Sequence, residues 1–194
     1  MKSVPQAEDL SASSFMPYNS AAGQKTIERQ WDTFNPIENP MSPFMPCNKP
    51  GTPTAETATV QAGSKVTAFW NQYSHDIGPL VVWMTECAGP CASWNGQGGK
   101  WFKIDESGLL GGTVGKGRWG SGEMIKGNLS WTVTIPSSLK AGEYLLRHET
   151  IAMHSTIPQF YPNCAQIKVT GGGSASPGAN YRASIPGVYS SSGK

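Results

Sequence analysis

Trp131-Thr132-Val133-Thr134-Ile135-Pro136 alternates large apolar with small polar residues and stops at a proline. Period-two alternation of this kind is the pattern of a half-buried strand, and proline cannot continue a strand ladder. The pattern returns at Ala165-Gln166-Ile167-Lys168-Val169-Thr170, and earlier at Val60 and then Val66, Ala68 and Trp70 around a turn at Gly63. Pro79 to Cys87 reads as an apolar strand and Trp101 to Ile104 as another, and Ala141-Gly142 turns the chain into Tyr144 to His154. Many short strands with Gly/Pro turns describe an antiparallel sandwich. Upstream, Pro17, Pro36, Pro40, Pro43, Pro46, Pro50 and Pro53 read as long loops, with one short helix around Gln24 to Trp31. The expected organisation is an atypical segment over 1–14, the sandwich core over 15–170 and a flexible Gly/Ser/Pro-rich tail over 171–194.

Composition narrows the function. The chain has 194 residues, enough for one core, and its 14% charged residues fall well below the ~25% usual for globular proteins. A net charge of +2 without a Lys/Arg cluster argues against a nucleic-acid or polybasic membrane partner. Gly 23 and Pro 15 exclude a helical bundle. The longest apolar run, Leu80 to Met84, is too short to span a membrane. Nothing points to an obligate oligomer, so a monomer is expected.

The cysteines are Cys47, Cys87, Cys91 and Cys164. An even count in a low-charge chain points to disulfides and an oxidising compartment, and no C-x-x-C spacing supports zinc. Cys87 and Cys91 flank Gly89-Pro90, so a short local bridge is sterically easy, and Cys47 then ties the N-terminal third to Cys164; four buried free thiols are the alternative. The sequon Asn128-Leu129-Ser130 fits an extracellular protein with a glycan on Asn128. No signal peptide is visible, because Ser3 to Asp9 is not an apolar run.

There are three histidines. His75 sits in the loop Tyr73-Ser74-His75-Asp76-Ile77-Gly78-Pro79, and His148 and His154 read as one face of a single strand, with Gln159 and Tyr161 following. This set can orient a small ligand or a metal ion. The order Leu146-Arg147-His148-Glu149-Thr150-Ile151-Ala152-Met153-His154, then Gln159-Phe160-Tyr161-Pro162-Asn163-Cys164, resembles the signature of fungal lytic polysaccharide monooxygenases, the cellulose-active auxiliary activity family nine. Trp101-Phe102-Lys103-Ile104, Ser130 to Pro136, Gly142 to Arg147 and Ile185-Pro186-Gly187-Val188-Tyr189 agree with it.

The resemblance implies an all-β, immunoglobulin/fibronectin-like sandwich with long loops, secreted, bridged Cys47–Cys164 and Cys87–Cys91. It implies one copper ion that, with an external electron donor, cleaves cellulose or a related β-glucan oxidatively. His75 takes an equatorial copper position and Tyr161 the axial oxygen position. His154 and Gln159 position the oxygen species, Tyr189 meets the polysaccharide, and His148 is a structural histidine. The family also binds copper through an N-terminal histidine, whereas here the chain starts Met1-Lys2-Ser3 and His75 is the first histidine. Residues 1–14 also lack the alternation of the family's first strand. The expectation is therefore an impaired enzyme, accounted for by a mis-called start in preference to genuine loss or makeshift ligation by Met1. A non-catalytic carbohydrate-binding sandwich is the alternative. A hydrolase is disfavoured, since Glu86, Asp105, Glu106, Glu123 and Glu149 give no sign of converging as an acid pair.

Overall fold

The computed structural model describes residues 26–190. Its strands are β1 (Gln30–Trp31), β2 (Pro50–Thr52), β3 (Ala58–Gln61), β4 (Lys65–Phe69), β5 (Leu80–Glu86), β6 (Lys100–Ser107), β7 (Leu109–Gly111), β8 (Arg118–Trp119), β9 (Ser130–Thr134), β10 (Gly142–Ala152), β11 (Gln159–Thr170) and β12 (Ala183–Ser184). One short helix, α1 (Gly120–Lys126), precedes β9. The main sheet has the order β12-β6-β5-β10-β11-β3, and β4 pairs with β9 in a separate ladder. All pairings in the main sheet are antiparallel except β11 with β3, which is parallel.

Alternation along the strands builds two cores. On one face of the main sheet, Leu80, Val82, Met84, Leu146 and Ile167 bury against Val133 and Ile135 from β9 and its end, with Val66 and Trp131 packed alongside. This is the sandwich interior that the Trp131–Pro136 pattern demands. On the other face, Val81, Trp83, Trp101, Leu145 and Phe160 bury against Met45, Cys47 and Ile185. Loops, not a sheet, cover this second face. Cys47 is bridged to Cys164 of β11, fastening the proline-rich loop down, and Cys87 is bridged to Cys91 just beyond β5.

β10 therefore lies between β5 and β11 with both faces covered, and Tyr144 to Ala152 are all buried. Two of these residues are charged. Arg147 and Glu149 pair at 2.6 Å with no exposed side-chain surface. Arg147 also donates to the carbonyls of Pro46 (2.8 Å) and Met45 (2.9 Å), and the Tyr189 hydroxyl donates to Glu149 Oε2. The buried polar groups thus connect the strand, the proline-rich loop and the C-terminal segment.

Two expectations are corrected. Among the described residues, the stretch expected to be helical from Gln24 to Trp31 holds no helix: Glu28 bridges to Ala165 and Gln30–Trp31 form β1. Its backbone pairs along β11, Arg29 N–H donating to the Cys164 carbonyl (2.8 Å), while the fully buried Arg29 guanidinium donates to the carbonyls of Cys91 (3.0 Å) and Trp94 (2.6 Å). Nor is the stretch after Gly171 a free tail. Ala175 bridges to Leu139, β12 pairs with β6, and Ile185 is buried in the second core. The 1–14 segment lies outside the described residues.

Candidate metal and polysaccharide site

The loop between β4 and β5 carries His75, and its backbone is tied to neighbouring elements. Ile77 and Pro79 carbonyls accept the amides of Met153 (2.8 Å) and Ile151 (3.0 Å), and the Gly78 carbonyl accepts Ser121 N–H (3.1 Å). Gly78 has φ 149°, and a Cβ there would lie 1.7 Å from the Ile151 carbonyl oxygen. Only glycine permits this close approach. The loop is thereby held against the end of β10 and the start of α1, which is why a loop histidine has a defined place.

β11 supplies the facing groups. Gln159 and Tyr161 are two residues apart on one strand, so both point to the same side, while Phe160 points into the second core. The Tyr161 hydroxyl donates to Gln159 Oε1 (3.0 Å) and lies 3.2 Å from His75 Nε2. Which group donates in the contact with His75 is set by the His75 tautomer. His154 stacks on the His75 ring, with centroids 4.4 Å apart and planes 14° apart. Burial and then the His154 ring hold the His75 imidazole below the ordinary histidine range, against a smaller upward pull from Asp76. His75 therefore favours the neutral form that a metal ligand needs.

His75, His154, Gln159 and Tyr161 are thus brought together. Tyr73, which sequence reasoning passed over, completes the cluster. Its ring meets His75 edge-on at 5.3 Å and Tyr161 edge-on at 5.5 Å, and its hydroxyl is buried beside Thr150. Its only signal in the sequence is its place two residues before His75.

His148 and His154 do not share a strand. β10 ends at Ala152, leaving His154 exposed in the loop beyond it. His148 is buried on the sandwich-interior face, edge-on to Trp70 at 5.8 Å, and burial pushes its imidazole down to about 4. An unfolded histidine binds a proton near its ordinary value of 6.5, so the neutral form's contribution to stability is complete above that pH. It is lost as pH falls toward 4. The stability of the parent chain should fall between pH 6.5 and 4 by about 3 kcal/mol more than that of His148→Gln, read from urea midpoints at both pH values. Equal slopes in the two proteins would show that His148 does not carry this titration. Glu28, pushed up to about 7 by burial, acts in the opposite sense in both proteins and cancels in the comparison.

Tyr189 stands elsewhere. It is half-buried, with its ring 5.1 Å from Phe160 and its hydroxyl on Glu149, so the hydroxyl is not offered to a sugar. Asn128 is exposed in the turn after α1 with φ 58°.

The donor set tests whether copper fits. An imidazole nitrogen and a phenol oxygen converge within 3.2 Å, and a nitrogen-rich site with a weak axial oxygen suits copper. No group of three or more His, Cys, Asp or Glu able to hold a metal ion occurs among the described residues. His75 and Tyr161 therefore fit two positions of a ligand set and do not complete it.

The family model for Auxiliary Activity family 9 (formerly GH61) matches residues 6–194. The chain is 50% identical over 182 residues to AA9 family lytic polysaccharide monooxygenase B of Heterobasidion irregulare, covering 92% of this chain and 75% of the relative. It is 51% identical over 180 residues to the AA9 family lytic polysaccharide monooxygenase-like protein CEL1 of Agaricus bisporus, covering 91% of this chain and 56% of that protein. Among solved structures, HiLPMO9B superposes with a TM-score of 0.89 at 50% identity, covering 91% of this chain and 80% of that one. A cellulose-active polysaccharide monooxygenase from M. thermophila superposes with a TM-score of 0.81 at 43% identity, covering 88% and 78%.

Proposed function

The chain belongs to Auxiliary Activity family 9, the lytic polysaccharide monooxygenases, and from that premise we propose that its His75 cluster serves copper-dependent oxidative cleavage of cellulose or a related β-glucan outside the cell. The observation that carries the reading is the convergence of His75 Nε2 and the Tyr161 hydroxyl on one side of β11, with His154 stacked over His75. His75 and Tyr161 would hold the ion, which supplies one-electron redox chemistry toward oxygen when fed by an external electron donor.

The remaining work falls to the protein's own groups. Gln159 accepts the Tyr161 hydrogen bond and so orients the phenol that would help hold the ion. Tyr73 limits rotation of both rings by edge contact. His154, exposed and stacked on His75, would be the ring beside the ion's imidazole ligand able to donate or accept a proton. The low charge of the chain suits an uncharged polysaccharide. Tyr189 retains only its ring for such a contact, and Asn128 is the corresponding position for an N-linked glycan.

A second reading is a non-catalytic carbohydrate-binding sandwich of the same family. It is favoured by one observation, the incomplete donor set among the described residues. Incubating the purified chain with cellulose, copper and ascorbate separates the two. Oxidised oligosaccharides that appear only with metal and reductant, in a yield lowered by the incomplete donor set, are the expected result, read by mass spectrometry. Cellulose binding without oxidised product would establish the second reading instead.

A further inference from the structure

The end of the sandwich remote from His75 carries a cavity that the proposed metal chemistry does not use. β5 runs from Leu80, beside the His75 loop, to Glu86, about 20 Å away at ~3.3 Å per residue. At the Glu86 end lies a cavity of 290 Å³, lined in part by Thr85, Glu86, Trp94, Gly99, Lys100 and Arg182.

Gly99 shapes its floor. A Cβ at Gly99 would lie 3.0 Å from Trp101 Nε1, 3.2 Å from Thr85 Oγ1 and 3.1 Å from the Trp94 ring. A side chain here would be crowded by Thr85, Trp94 and Trp101, so the floor is bare backbone. Trp101 is 0% and Thr85 1% exposed, and the Trp101 indole N–H has no partner among the described residues. Trp101 lies beneath the Gly99 floor, so Thr85 is the floor residue that a ligand hydroxyl meets. Trp94, half-buried in the wall, offers the flat apolar surface on which a sugar ring stacks.

The rim decides the class of sugar. Glu86 is neutralised by Lys140 at 2.8 Å. Arg182 is held in place through Nε on the Pro177 carbonyl (2.7 Å) and Nη2 on Ser176 Oγ (2.6 Å). Lys100 and Arg182 therefore leave the mouth positive, and a guanidinium fixed by neutral partners keeps its charge available to a carboxylate. We propose that this cavity is a second carbohydrate site, binding a sugar carboxylate, with the ring against Trp94, a hydroxyl over Thr85, and the acid group at Arg182 and Lys100.

Two sources share that chemistry, an aldonate at an oxidised chain end and a uronate side group. Isothermal titration of the full chain with cellobionate, glucuronate, cellobiose and acetate distinguishes them. At least one sugar acid should bind with a Kd below about 1 mM, and at least tenfold more tightly than cellobiose or acetate. The preferred acid identifies the source. Arg182→Gln should abolish the preference for the acid over cellobiose. Thr85→Val, which removes the hydroxyl of a cavity-lining residue, should weaken the sugar acid at least fivefold without lowering the urea midpoint. The proposal is overturned if neither acid binds at 10-fold that concentration, if cellobiose or acetate binds as well as the acids, or if Arg182→Gln leaves the acid preference intact. Cellulose oxidation is not a readout of any arm, so failure here and failure of the His75 reading are separate results.

Discussion

Glu149→Gln should destabilise the chain by about 3–5 kcal/mol, out of a total of ~5–15 kcal/mol usual for a domain. Glutamine has nearly the same shape, so the loss reports charge and not packing. Arg147 and Glu149 are both fully buried, and Glu149 is the carboxylate paired with that guanidinium. The Pro46 and Met45 carbonyls satisfy some of its N–H groups but not its charge. Burial and then the Glu149 charge push the Tyr189 phenol up, so its proton stays in place and serves as a donor to the carboxylate. Neutralising Glu149 therefore strands a buried cation and weakens the hold on Tyr189. Removing both charges has a different sign. In Arg147→Met with Glu149→Leu, the desolvation of both ions disappears, and the double variant should lie closer to the parent than Glu149→Gln does. Urea unfolding followed by tryptophan fluorescence measures all three. A Glu149→Gln loss under about 1 kcal/mol, or a double variant as unstable as the sum of its single changes, would refute this account. Limited proteolysis should also cut Glu149→Gln sooner near Tyr189 than the parent.

That network was invisible in the sequence, although its strand was not: Tyr144 to His154 reads as a strand, and β10 spans Gly142–Ala152. A strand in a one-sided sheet shows alternation, and β9 did: Trp131, Val133 and Ile135 face the core while Thr132 and Thr134 face out. β10 is covered on both faces, so its polar residues are buried and its pattern resembles an ordinary mixture. The helix α1 was missed because Gly120 and Gly122 oppose helix formation, yet Ser121 N–H bonds the Gly78 carbonyl and Met124 is fully buried. Tertiary contacts decided both cases. The Cys87–Cys91 bridge was legible because it is local, flanking one Gly-Pro turn. The cluster was half legible: Gln159 and Tyr161 share a strand face by simple periodicity, whereas their meeting with His75 and Tyr73 depends on where a loop lands on β10. The docking of the C-terminal segment could not be read from its glycines and serines, because Ile185 and β12 do the anchoring.

His75→Ala should lower Cu(II) affinity by more than about 100-fold, beyond the 10–100-fold that outer partners of a metal site control. His75 is the donor of this cluster best suited to copper, a half-buried imidazole biased toward its neutral form and facing a phenol oxygen. Its loop is held by backbone bonds through Ile77, Gly78 and Pro79, not by the imidazole, so the variant should keep its urea midpoint within about 0.5 kcal/mol of the parent. Tyr161→Phe removes a weaker oxygen donor and frees Gln159, and its loss of affinity should stay below about tenfold. His154→Ala should behave like an outer partner, costing 10-fold or so in affinity while removing the stacked ring that limits His75. Calorimetric titration with Cu(II) gives the affinities. Electron paramagnetic resonance adds a second readout, since nitrogen couplings should diminish in His75→Ala and persist in Tyr161→Phe. Parent-like Cu(II) affinity and nitrogen couplings in His75→Ala would place the metal elsewhere on the chain and remove the basis for oxidative chemistry at this cluster. Loss of affinity in all three variants in the order His75, His154, Tyr161 would instead identify the imidazole as the principal donor and the stacked ring as its support.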